Sequence, residues 1–224
     1  MNHFGIHMLR TTAWPFVIRE GLMFRLRTLL LVPLGMLAFS GPAIAAPILL
    51  SAFLNSAQEN NPANTSTATG FATFELNEAL TAMTFQATVF GIDFTGSQTP
   101  GTADNLTNAH IHAPGAPGTN AGVVWGFIGA PFNDNNPNDV VVTPFASGVG
   151  GTVSGKWDSP EGNNTTLAAQ LPSILNNLSY INFHTTQFGG GEIRGQITVP
   201  EPATLALLGI GVACLGLRRK SVKQ

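Results

Sequence analysis

Residues 180–199 read YINFHTTQFGGGEIRGQITV. Two runs rich in β-branched and aromatic residues flank a Gly-rich centre, which is the pattern of a hairpin. Side chains on a strand alternate with period two, so Glu192, Arg194 and Gln196 share one face. Ile193, Ile197 and Val199 share the other. In the first run Ile181 and Phe183 form the apolar set, Asn182 and His184 the polar one. Keeping like faces together sets His184 opposite Glu192 and Asn182 opposite Arg194. The loop is then Thr186 to Gly190, with glycines free to take positive φ. A slip of one residue would place Ile193 against His184. It would also lose the joint burial of Ile181, Phe183, Ile193 and Ile197.

The same reading extends back through the chain. Ile48 to Asn55, Phe71 to Leu76, Ala82 to Phe90, Thr107 to Ala113, Gly122 to Ile128 and Gly151 to Trp157 read as strands. Gly, Pro, Asn and Asp clusters separate them, and a polar stretch runs from Gln58 to Ser66. Within Phe71 to Leu76, Ala72, Phe74 and Leu76 share one face and Phe71, Thr73 and Glu75 the other. Thr166 to Asn176 has helical spacing at Leu167, Leu171 and Leu175, which Pro172 limits to a turn or two. Many short strands with one short helix predict an all-β antiparallel sandwich or barrel.

Three histidines lie in this domain. His110 and His112, in AHIHAPG (109–115), are two apart on a strand and so point to the same face. His184 is the third candidate. Together they offer imidazole nitrogens to copper or zinc, provided those nitrogens come within roughly 3–4 Å of one another. The residues themselves favour polar pairs on a solvated or partly covered sheet face, since β-domain histidines often only hydrogen-bond. Asp134, Asn136 and Asn138 match the first three positions of a helix–loop–helix calcium loop. Asp139 then replaces the Gly and Phe145 the bidentate Glu, so that motif is absent.

Both ends of the chain carry export signals. Met23 to Arg27 is basic, Leu29 to Phe39 apolar, and Ala43-Ile44-Ala45 a small-x-small site. This order is that of a signal peptide over 23–45, cut between Ala45 and Ala46. Residues 1–22 stand outside that plan, and Met23 is the expected start. At the other end Pro200-Glu201-Pro202 precedes fifteen residues, Ala203 to Leu217, that are apolar except for Thr204. Arg218, Arg219, Lys220 and Lys223 follow. The expectation is a transmembrane helix over part of 200–224 with its basic end in the cytoplasm. Between the signals, 46–199, ten acids face only two bases, Lys156 and Arg194, a net charge near −8. Such a surface repels phosphate backbones and argues against nucleic acid as a partner. The one cysteine, Cys214, lies in the apolar tail, so an exported domain here depends on burial rather than disulfides.

AHIHAPGAPGTNAGVV (109–124), followed by LSYINFHTTQFGGGEIRGQI (178–197), resembles the CHRD domain of chordin and many microbial surface proteins. Pro200, Glu201 and Pro202, the apolar stretch and the basic end resemble a PEP-CTERM sorting signal. The resemblance implies an exported protein of a Gram-negative bacterium that makes exopolysaccharide. Signal peptidase and an exosortase would act on it, with the inner membrane as an anchor, transient or permanent. The CHRD family has been likened to the immunoglobulin-like barrel of copper/zinc superoxide dismutase. On that likeness His110 and His112 sit as the copper-binding strand and Arg194 somewhat as the active-site arginine. This domain has fewer histidines than that enzyme and no disulfide. The expected function is a non-catalytic surface or matrix module, with exopolysaccharide or another surface protein as partner and no cofactor. The alternatives are a copper- or zinc-binding redox protein and a calcium-bridged adhesin.

Overall fold

The computed structural model of the protein describes residues 46–200. The signal segment up to Ala45, and the tail from Glu201 onward, lie outside them. Among the described residues no helix is long and apolar enough to cross a membrane.

Nine strands form the domain: β1 (Ile48–Asn55), β2 (Thr69–Leu76), β3 (Ala82–Phe90), β4 (Leu106–His112), β5 (Val123–Ile128), β6 (Val141–Pro144), β7 (Gly150–Asp158), β8 (Ser179–Thr185) and β9 (Ile193–Ile197). One helix, α1 (Leu167–Leu175), precedes β8. The strands make a single antiparallel sheet in the order β5-β4-β8-β9-β1-β2-β3-β7-β6. The sheet curls on itself, so strands far apart in that order meet across the core. Phe85 of β3 packs on Trp125 and Phe127 of β5, with ring centroids 5.7 and 4.8 Å apart. Trp125 stacks on Trp157 of β7 at 5.6 Å, the planes 4° apart. The expected sandwich is thus one folded sheet whose two layers share an aromatic centre.

Strands β1 to β3 follow the alternation. On β2 Ala72, Phe74 and Leu76 are buried, and Phe71, Thr73 and Glu75 exposed. The register runs without interruption from Ile48–Leu76 to Asn55–Thr69, and from Thr69–Phe90 to Leu76–Met83. Two elements depart from expectation. The edge strand β6, with Val141, Val142, Thr143 and Pro144 all exposed, gives no alternation to read. Its proline is tolerated because an edge strand leaves one side unpaired. The helix continues past Pro172 to Leu175. The amide that Pro172 lacks would reach only to Ala168, in the first turn, and Thr166 caps that turn by accepting from Ala169 N–H at 3.3 Å.

The last hairpin takes the expected register. Asn182 lies opposite Arg194 and Phe183 opposite Ile193, and Ile181, Phe183, Ile193 and Ile197 are fully buried. The ladder stops one residue short of His184–Glu192. The Glu192 N–H donates to Phe183 O, while its side chain turns elsewhere.

Candidate functional site

Strands β4, β8 and β9 lie side by side, and their second face carries His110 and His112, then Tyr180, Asn182 and His184, then Arg194 and Gln196. Sequence reading places this face against solvent or a partial cover. It is instead closed over: His110, His112 and His184 are only 4%, 7% and 6% exposed. The cover is chain that the sequence presents as polar linker.

Two charged side chains hold that cover down. Arg194 Nε donates to Gln58 O, and Nη1 donates to Thr119 O and Asn120 Oδ1 at 3.1 and 3.2 Å. Its guanidinium carbon lies 4.7 Å from the Tyr180 ring centre, and its Nε 3.8 Å from the Glu59 carboxylate. Burial pushes the Glu59 carboxyl up to about 7, with Arg194 offsetting only part of the rise. Glu192 accepts from Ser66 Oγ at 2.6 Å and from Thr185 Oγ1 at 2.5 Å, and its carbonyl accepts from Asn64 Nδ2 at 2.8 Å. Segment 56–66 is thereby laid across the polar face. Gly191 permits this close approach: its φ is +129°, and an added Cβ would lie 2.7 Å from both Asn182 Nδ2 and Glu59 Oε1.

Beneath the cover the three histidines meet. One ring nitrogen from each lies within 4.8 Å of the others, and His110 Nδ1 is 3.3 Å from His184 Nε2. The far nitrogen of each ring contacts a backbone carbonyl. His110 Nε2 reaches Ala130 O at 3.1 Å, His112 Nδ1 reaches Ala121 O at 2.9 Å, and His184 Nδ1 reaches Gly189 O at 3.1 Å. The His112 ring also stacks on Tyr180, with centroids 4.8 Å apart and planes 3° apart. Tyr180 Oη accepts from the Ala121 N–H at 3.1 Å, so one residue is held by both rings. Gly126 leaves room beside His110: a Cβ there would sit 3.0 Å from the imidazole and 1.8 Å from Pro131 O. Burial drives the His110 ring down to about 4, the neighbouring His184 and His112 adding to the effect. It drives His112 to about 4 against the pull of the Ala121 carbonyl, and lowers His184 against that of Gly189. All three rings are neutral near pH 7.

The structure therefore brings together His110, His112 and His184. The strand period is the signal that relates His110 to His112. The carbonyls of Ala121, Ala130 and Gly189 carry no signal of their own, because any residue can supply one. The Asn/Asp loop is held differently. Asp134 is buried and accepts from the amides of Asp139 and Val140 at 3.0 and 2.9 Å. Glu161 accepts from the amides of Asn135 and Asn136 at 2.8 and 2.7 Å and from Trp125 Nε1 at 3.3 Å. Asp93 gathers the amides of Thr95, Gly96 and Thr99. Burial acts to raise Asp93, but these hydrogen bonds outweigh it and hold the carboxyl below its ordinary value. These three carboxylates pin loops from inside.

Residues 50–197 match the family model of the CHRD domain, and residues 198–220 that of the PEP-CTERM protein-sorting motif. No curated protein and no solved structure matches the chain.

Proposed function

Since the chain belongs to the CHRD-domain family and carries a PEP-CTERM sorting motif, we propose that it is a non-catalytic module of the cell surface or extracellular matrix. The sorting motif makes it an exported, surface-associated protein recognised by exosortase machinery. In our reading signal peptidase first cuts between Ala45 and Ala46. Pro200, Glu201 and Pro202 are then presented at the inner membrane of a Gram-negative cell, held by the apolar run behind them. Outside, the β-domain engages exopolysaccharide or another surface protein.

One observation carries this reading. Strand β9 ends at Ile197, and the match to the sorting motif begins at residue 198. The tail contributes no strand to the sheet, so it serves as a detachable address. The domain's carboxylates fit a module as well: Asp93, Asp134 and Glu161 are spent on loop amides instead of lining an open cleft. Deleting Pro200 to Gln224 tests the reading. Folded, soluble protein should appear in the medium, with the dispersed near-ultraviolet signal of its buried tryptophans. A deletion product that cannot fold would make the tail part of the core and overturn it.

A further inference from the structure

We propose that His110, His112 and His184 form a buried three-nitrogen site for one transition-metal ion of the copper or zinc kind. The argument rests on where the ring hydrogens must be. A carbonyl oxygen only accepts, so a ring nitrogen in contact with one carries the hydrogen. Three carbonyls thus fix three tautomers: His110 protonated at Nε2, His112 and His184 at Nδ1. A neutral imidazole has one hydrogen, so His110 Nδ1, His112 Nε2 and His184 Nε2 are bare.

Those bare nitrogens are turned toward one another. His110 Nδ1 and His184 Nε2 stand 3.3 Å apart with a lone pair on each and no hydrogen to share. His112 Nε2 is buried and has no hydrogen-bond partner at all. Buried acceptors without donors are rare, because each forfeits its hydration unrewarded. Three at one point, each with its opposite nitrogen held by a carbonyl, is the arrangement that orients imidazole ligands and raises their basicity toward a cation. A 3.3 Å separation suits two nitrogens at about 2.0–2.1 Å from one ion. His112, within the 4.8 Å limit, has to move in by about an ångström to complete that geometry. No thiolate or carboxylate belongs to the set, and three neutral imidazoles select for copper or zinc over calcium or magnesium. A fourth position remains for water or a small anion.

Tag-free full-length protein, stripped with chelator and then exposed separately to copper(I), copper(II) and zinc(II), tests this. Elemental analysis after desalting should find about one equivalent of copper or zinc per chain. The exchange of His184→Asn should cut uptake at least tenfold, whereas joint His3→Asn and His7→Asn, which lie outside the domain, should leave it unchanged. Nitrogen-15 spectra of the imidazoles give a reading that does not depend on a variant folding. Before loading, the bare nitrogens should be Nδ1 of His110 and Nε2 of His112 and His184, and these three should shift on loading. Absence of uptake with all three ions would overturn the site. So would uptake that follows His3 and His7, or a ring found in the opposite tautomer.

Discussion

The sheet contains two regions built on different plans. In β1, β2 and β3 one face is apolar and the other meets water, and every residue declares its side. Phe53 and Phe71, paired across the strands, are 60% and 49% exposed, while Phe74 one turn of the pleat away is 2% exposed. In β4, β8 and β9 both faces are buried, and all seven residues of β8 are shut from solvent. One face is apolar; the other is a polar layer whose partners are loop carbonyls and amides. The first region is held by area removed from water, which tolerates approximate fit. The second depends on each polar atom finding its mate, where a single loss leaves a buried group unpaired.

That contrast can be broken at its apolar end first. Phe74→Ala should cost about 3–5 kcal/mol, read as a lower urea midpoint at unchanged slope, with Phe71→Ala on the same strand costing about 0.5 kcal/mol or less. Equal losses at the two positions would mean the outer face of β2 is covered.

Arg194→Ala attacks the polar end and should cost about 3 kcal/mol, since Gln58 O, Thr119 O and Asn120 Oδ1 lose their donor inside the protein. Amide exchange should speed up first in 56–66 and 113–121, while β1 to β3 remain protected. Uniform acceleration across the sheet would show that the cover and the sheet are one cooperative unit.

The smallest effect is in the pH dependence. Folding raises the Glu59 carboxyl from 4.5 to about 7, so the folded protein holds that proton more tightly. Its contribution to stability is complete below pH 4.5 and is lost as pH rises through 7. Glu59→Gln lacks this titration. The melting temperature of the parent should fall relative to the variant between pH 5 and pH 8. The buried histidines act in the opposite sense, losing stability as pH falls below 6.5, but they do so in both proteins and cancel in the difference. Parallel curves would place Glu59 as a fixed carboxylate.

What could be read from sequence follows the same division. The bounds of β1 and β3 and the register of the last hairpin come from alternation, because one-sided burial imposes it. The strand β6 escaped, since four exposed residues ending in proline impose no pattern. The helix outran its proline because the missing amide falls where the first turn hardly needs it. For the site, period two brought His110 and His112 to one face. That Gln58 to Ser66 folds back over them was not legible: Arg194 and Glu192 hold it there from more than 120 residues away in the chain. Nor were Asp93, Asp134 and Glu161 distinguishable from surface acids, since what marks them is loop amides converging from either side.

Strand β9 sits between β8 and β1 in the middle of the sheet, and Arg194 faces Asn55 as well as Asn182. The first strand of the described domain therefore waits for the last. A chain threaded across a membrane from its N-terminal side cannot join these edges until β9 has emerged. Up to then β1 and β8 each offer an unpaired edge that invites wrong partners. Contacts so distant along the chain also make closure slow. A sorting tail that tethers the protein while β9 docks would hold each copy apart from its neighbours during that interval. The anchor would thus act as a folding chaperone in cis before it acts as an address.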